Sequence, residues 1–347
     1  MLARVVAVID YRCSVSVWAT ATGIGSWPGT VPRGAAEVIV GELDLPYLPE
    51  LPARGVGADL IGRAGALLVD IAIDTVPRGY RIAARPGSVM RRAASLLDED
   101  IDALEEAWEK AGRGEHAVKV QAPGPITLAA QLELPNGHRA ITDPGAVRDL
   151  AASLAEGVDV HRAEVARRLG TTVVVQFDEP LLPAALAGRL AGVTALSPVH
   201  PVDEAVATGL LDDCAARAGG EVLLHCCAVD VPWTVLQRSA IQAVSLDYRM
   251  IDGSDLDGLG VFLDSGRTAV LGVAPVVAPE RVPSFEECVT AAAGLIDRIG
   301  LPRSVLGERI GLSPVCGLAG ATEAWARVAT GLTQRAADAI AQDPSAC

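Results

Sequence analysis

A chain of 347 residues, half of them hydrophobic, has ample apolar surface for a large core, which excludes disorder as its main state. Its 29 basic and 43 acidic residues give a formal charge of -14, interleaved along the chain without a basic run, so the electrostatic footprint of a nucleic-acid binder is missing. No apolar run reaches the ~20 residues of a membrane span, and seven irregularly spaced cysteines do not read as a disulfide framework, so the expected setting is soluble, reducing and cytoplasmic, with no membrane partner.

Residues 1–18 carry Arg4, Asp10, Arg12 and Cys13 among apolar positions, too interrupted for a signal peptide; they are expected to form a loosely tied extension before a single domain over 19–347. A short β-like run at 21–26 stops at Trp27-Pro28-Gly29, which puts Ser26 at a strand's carboxyl end. Gly23 and Gly25 in that run lack the third glycine of a dinucleotide fingerprint. Residues 42–54, with three prolines and the acids Glu42, Asp44 and Glu50, read as a polar loop, either functional or merely connecting, before a helix expected over 58–73. Leu96, Leu97, Ile101, Leu104 and Trp108, three and four apart, predict a helix over 91–110 with a core-facing stripe.

A strand at 116–121 is broken by Ala-Pro-Gly-Pro at 122–125, and a helix follows over about 143–169. The β-branched run 171–177 ends in Asp178-Glu179-Pro180, a carboxylate pair at a strand's carboxyl end. After a helix at 203–217 comes the apolar run Glu-Val-Leu-Leu-His-Cys-Cys at 221–227, where strand alternation puts His225 and Cys227 on one face and turns Cys226 to the other. The remaining pattern alternates: a short helix at 232–239, a strand at 243–246 ended by Asp247, a helix at 255–263, a strand at 268–273, a helix at 284–299, a strand at 309–312 followed by Cys316, and a helix at 322–340.

Strands alternating with helices throughout predict an α/β chain with a parallel sheet, and about eight such units fit a (β/α)8 TIM barrel better than an open sheet. Ser26, Asp178, His225, Cys227, Asp247 and Cys316 all fall at or just past the carboxyl ends of separate strands, the face on which barrel active sites are built. Imidazole and thiolate suit zinc, and Cys316 is the plain candidate to join His225 and Cys227; ordinary buried cysteines beside a hydrogen-bonded histidine are the other reading of the same residues.

Five short motifs then carry a resemblance. Thr22-Gly23-Ile24-Gly25-Ser26-Trp27-Pro28, Gly124-Pro125-Ile126-Thr127, Val175-Gln176-Phe177-Asp178-Glu179-Pro180, His225-Cys226-Cys227 and Cys316-Gly317-Leu318 resemble, in order and at compatible separations, the carboxyl-terminal catalytic barrel of the cobalamin-independent methionine synthase family in a short single-barrel form. The resemblance implies a methyltransferase in which His225, Cys227 and Cys316 bind zinc with a carboxylate from the following strand as fourth ligand. It also implies Asp178, beside Glu179, on the ammonium of an amino-acid thiol such as homocysteine, and Ser26 near its carboxylate.

The chain departs from that pattern in three places. The fourth-ligand position holds Asp247 where the family usually has Glu, one methylene shorter; no amino-terminal partner barrel is expected; and Ala129-Ala130-Gln131 lacks the tryptophan on which folate-using members stack their pterin. The missing tryptophan and an acidic surface ill suited to a polyanionic folate tail favour a corrinoid-bound methyl group over methylfolate as donor. A non-catalytic zinc- or thiol-binding barrel and a uroporphyrinogen decarboxylase-like lyase remain alternatives, the latter needing no metal.

Overall fold

The computed structural model describes residues 16–114, 116–193, 198–219, 221–345 and 347. In chain order the helices and strands are α1 (Pro32–Glu42), α2 (Leu60–Ala64), β1 (Ala72–Val76), β2 (Gly79–Ala83), α3 (Ser88–Ala111), β3 (Val118–Pro123), α4 (Pro125–Gln131), β4 (Leu132–Glu133), α5 (Pro144–Leu169), β5 (Val173–Asp178) and α6 (Leu182–Leu186). They continue with α7 (Glu204–Ala218), β6 (Val222–His225), α8 (Trp233–Arg238), β7 (Ala243–Asp247), α9 (Leu256–Asp264), β8 (Thr268–Ala274), α10 (Phe285–Ile299), α11 (Ser304–Arg309), β9 (Ile310–Pro314) and α12 (Glu323–Gln342).

Six strands form one parallel sheet in the order β3-β5-β6-β7-β8-β9. Every residue of these strands is buried, as expected when helices cover one face and the curled sheet closes over the other. The helices carry ordinary end signals: Asp143 accepts from the Gly145 and Ala146 N–H groups at the start of α5, and Ser284 and Glu287 form a reciprocal capping box on α10.

Two extended segments line the sheet's edges without forming regular strands. Residues 20–22 bond to Leu312 of β9, residues 46–48 bond to Lys119 of β3, and the segments meet through Leu45 N to Ala21 O at 3.2 Å and Glu50 N to Gly25 O at 3.1 Å. The fold is therefore α/β with a curled six-stranded parallel half-barrel, where eight regular strands were expected. The shortfall has a local cause: Pro46 and Pro49 offer no N–H to a ladder, and Gly25 sits at φ 153°.

A second, three-stranded sheet has the order β1-β2-β4, with β1 and β2 antiparallel about Pro77-Arg78. Here the expected helix over 58–73 is confined to α2, and its last residues belong to the hairpin. Ile73, Thr75 and Val76, then Tyr80 and Ile82, are β-formers flanking a Pro-Arg-Gly turn, and that signal outweighs the apolar spacing before it.

Most buried side chains belong to one continuous core, while Trp18, Leu45, Val174, Leu223, Ala243 and Val270 form a small separate cluster. Trp18 is fully buried in that cluster, so the chain is already anchored there; residues 1–15 of the expected extension lie outside the described residues. Among the described residues no helix is long and apolar enough to cross a membrane.

Candidate active site

The six-stranded sheet delivers a histidine and two cysteines to one point. His225 is the last residue of β6, Cys227 follows two residues on, and Cys316 lies two residues past the end of β9. The Sγ atoms of Cys227 and Cys316 are 3.3 Å apart, and Cys316 Sγ is 3.7 Å from His225 Nε2. Among the described residues this is the one group of three His, Cys or acidic side chains close enough to share a metal ion, with all ligand atoms within 4.8 Å of one another.

The other ring nitrogen of His225, Nδ1, is 3.1 Å from Ser245 Oγ, on the β7 residue paired with it in register. A proton on Nδ1 donated to that hydroxyl leaves the Nε2 lone pair free for a metal. The contact between the two thiols, with help from His225 and the Gly317 N–H, pulls Cys316 down to about 4 while Cys227 is pushed up. Alternation holds for Cys226, which is fully buried in the core with its thiol pushed up to about 12 by burial.

These donors form part of the wall of a cavity of about 240 Å³ that is also lined by Ser26, Glu50 and Asp178, with Ile24, Pro52, Leu60 and Pro180 as apolar surface. Asp178, the last residue of β5, accepts from Gln176 Nε2 at 2.7 Å. Burial lifts its carboxyl to about 6, against the pull of His225, Lys119 and Gln176. It does not cap the next helix, because α6 begins without a side-chain cap. Ser26 Oγ is met by the Ala319 N–H at 3.4 Å, and a Cβ on Gly317 would stand 2.1 Å from that oxygen, so the loop after β9 needs a glycine there.

Sequence reasoning did not single out Glu50 as a site residue. It is 5% exposed, burial raises its carboxyl to about 7 against the opposing pull of Arg63, and its Oε1 has no hydrogen-bond partner, with Arg63 Nε 3.7 Å away. The available signal was its place in a polar loop following the first extended run.

Two expected residues are placed elsewhere. Glu179 does not line the cavity: fully buried, it accepts from Ile126 N, Thr127 N and Thr127 Oγ1 at 2.7–2.9 Å, so its carboxylate caps the start of α4. A Cβ on Gly124 would clash with it at 2.2 Å, which explains the glycine of that motif. Asp247 lies outside the three-residue cluster, and its carboxylate is held by Arg249, with Nε at 3.0 Å and Nη2 at 2.8 Å.

The chain matches the family described as the cobalamin-independent synthase catalytic domain over residues 18–339, and it belongs to that family. It is thus a methionine synthase-like methyltransferase, a class that implies methyl transfer to homocysteine. Among solved structures it is similar to a B12-independent methionine synthase from Shewanella sp. W3-18-1 in complex with selenomethionine, at 13% identity and a TM-score of 0.58, covering 95% of this chain and 100% of that one. It is also similar to a methyltransferase from Methanosarcina mazei, at 16% identity and a TM-score of 0.56, covering 93% and 92% respectively. At such identities the two likenesses speak for the fold alone. A comparison with curated proteins finds no match.

Proposed function

We propose that the chain is a zinc-dependent methyltransferase that takes an amino-acid thiol, homocysteine or a close relative, and converts it to the thioether. The observation that carries this reading is the convergence of His225, Cys227 and Cys316 within 4.8 Å on a cavity that also presents two buried carboxylates. One imidazole and two thiols are a donor set that fits zinc, and anchoring His225 Nδ1 on Ser245 is the outer support such a ligand needs. Zinc held there would supply Lewis-acid activation, which favours a thiol in its thiolate form at neutral pH.

The chain's own residues do the rest. Asp178 and Glu50 receive the substrate ammonium, and Ser26, with the backbone around it, meets the carboxylate. The apolar surface from Ile24, Pro52, Leu60 and Pro180 keeps water from the sulfur. In balance, the thiol loses its proton, the sulfur takes the methyl group, and the donor leaves with the electron pair of its methyl bond.

A cavity of about 240 Å³ suits the amino acid and leaves the donor to approach at the mouth. With no tryptophan at 129–131 and a charge of -14, we favour a corrinoid-bound methyl group, presented by a corrinoid protein, over a polyglutamylated methylfolate. We also favour an eight-membered barrel in a single catalytic domain over 19–347. The bridges from 20–26 and 45–50 to the edges of the sheet support it. The selenomethionine held by the Shewanella relative supports a methionine-like product.

The test is metal analysis of the purified protein followed by a thiol screen with several methyl donors. About one zinc per chain and turnover of homocysteine with a methylcorrinoid is the expected result. Zinc with no turnover on any donor would overturn it.

A further inference from the structure

Lys119, in β3, is fully buried, which is costly for a lysine unless something holds its charge. Its Nζ donates to Gln176 Oε1 at 2.6 Å and to Ile24 O at 3.2 Å, and it stands 5.1 Å from the centre of the Tyr47 ring. Among the described residues no carboxylate pairs with it within 4.0 Å. The anions that act on it are Asp178 and Glu50, both on the cavity; burial pulls its ammonium down to about 7 against the opposing pull of these two.

The hydrogen bonds have a direction. An ammonium can only donate, so the Gln176 atom it meets is the carbonyl oxygen, and the Gln176 amide nitrogen is forced to the other side. That nitrogen donates to Asp178 Oδ1 at 2.7 Å and to Ile24 O at 2.6 Å. Gln176 precedes Asp178 by two residues on β5, so both project to the same face, with Gln176 one layer deeper. Lys119 therefore fixes which way the glutamine faces, and the glutamine fixes the carboxylate.

We propose that Lys119 is a positioning residue for recognition of the substrate ammonium: through Gln176 it orients Asp178, and its charge offsets the repulsion between Asp178 and Glu50 in the empty cavity. The inference rests on the ammonium role given above to those carboxylates. It adds a residue that touches no substrate atom and predicts that selectivity for an amino group is set one layer below the cavity.

The test is equilibrium binding by calorimetry to the full chain supplemented with zinc. L-methionine is compared with 4-methylthiobutyrate, which keeps the thioether and carboxylate and lacks the ammonium. The parent is expected to prefer methionine, and Lys119→Met to lose that preference by roughly tenfold or more while binding the desamino compound as before. Lys119→Arg, which keeps a donor-only cation, should restore part of it. Gln176→Met, which cuts the relay and leaves the lysine in place, should shift the ratio the same way and carries the test if Lys119→Met does not fold. A parent that does not distinguish the ligands overturns the ammonium reading and this inference with it. A parent that does, with variants that keep its ratio or weaken both ligands equally, overturns the role of Lys119 alone.

Discussion

The cavity has two walls built in different ways. On one side β5, β6 and β9 are regular, fully buried strands, and they deliver Asp178, His225, Cys227 and Cys316 at or just beyond their ends. On the other, residues 20–26 and 45–50 are joined by isolated bridges, and they deliver Ser26 and Glu50. The regular wall can hold atoms at fixed separations, as a metal requires, because its ladders fix neighbouring strands in register. The irregular wall is shaped by proline, glycine and buried charge, and Glu50 is held by a chain of ions: Arg63 beside it is bound by Asp100, which Arg54 also grips at 2.6 Å. On the proposed function, chemistry at sulfur would fall to the regular wall, and recognition of the amino acid would be shared between the two.

The largest effects should come from the regular wall. Cys227→Ser or Cys316→Ser should leave the purified protein with little zinc and without detectable methyl transfer, whereas Cys226→Ser, turned into the core, should keep full metal; elemental analysis decides. Equal zinc in all three would place the metal elsewhere.

Recognition comes next. Asp178→Asn or Glu50→Gln should raise the KM for the thiol roughly 10–100-fold, the range of a lost charge-assisted contact, with zinc content unchanged. Glu50 adds a pH signature. Its carboxyl stands at about 7 in the folded cavity, against 4.5 for a glutamate in water, so the anion that an ammonium needs is lost as pH falls through 7 and KM should rise there. The folded state binds that proton more tightly than the unfolded chain, so stability should fall as pH rises from about 4.5 to about 7. Thermal melts across that window should show a flatter slope in Glu50→Gln, and an unchanged slope would mean that Glu50 does not titrate in the fold.

A smaller effect probes the support of the metal site. Ser245→Ala removes the partner of His225 Nδ1 without touching a candidate donor and should weaken zinc retention about tenfold, read by competition with a chelator. No change would mean that the imidazole is oriented by packing alone.

The same two walls separate what could be read from the amino-acid order. A β-branched run announces β5 and an apolar one β6, and alternation past the second turns Cys226 from Cys227. Applied one strand earlier, alternation also separates Asp178 from Glu179, which as consecutive residues face opposite ways; treating them as a pair on the cavity neglects it. Glu50 was illegible as a site residue because Pro49 and Pro52 mark its surroundings as loop, and only its bridge to Ser26 brings it to the cavity. Lys119 was hidden for the opposite reason: it sits inside a strand, and nothing in Val-Lys-Val indicates whether a lysine there is satisfied by water or by a glutamine 57 residues on, on the neighbouring strand.

The smallest expected effect concerns Asp247, at the end of β7 on the regular wall. It lies two residues beyond Ser245 and so shares the face that meets His225, yet Arg249 takes both of its oxygens and the Arg249 N–H bonds to Oδ1 at 3.0 Å. The Arg249 side chain is 51% exposed, so the ion pair itself contributes at most about 1 kcal/mol, and the cap on the following turn about as much again. Asp247→Ala should therefore lower stability slightly and leave zinc retention close to that of the parent, because on the proposed reading His225, Cys227 and Cys316 would hold the metal without it. Should retention instead fall as far as in Cys316→Ser, the carboxylate must leave Arg249 for the metal when zinc binds. Arg249→Met would then tighten zinc binding by freeing that carboxylate in advance, whereas with a three-residue centre it would change nothing at the metal. The pair of substitutions thus distinguishes an aspartate held in reserve from one that only ends its strand.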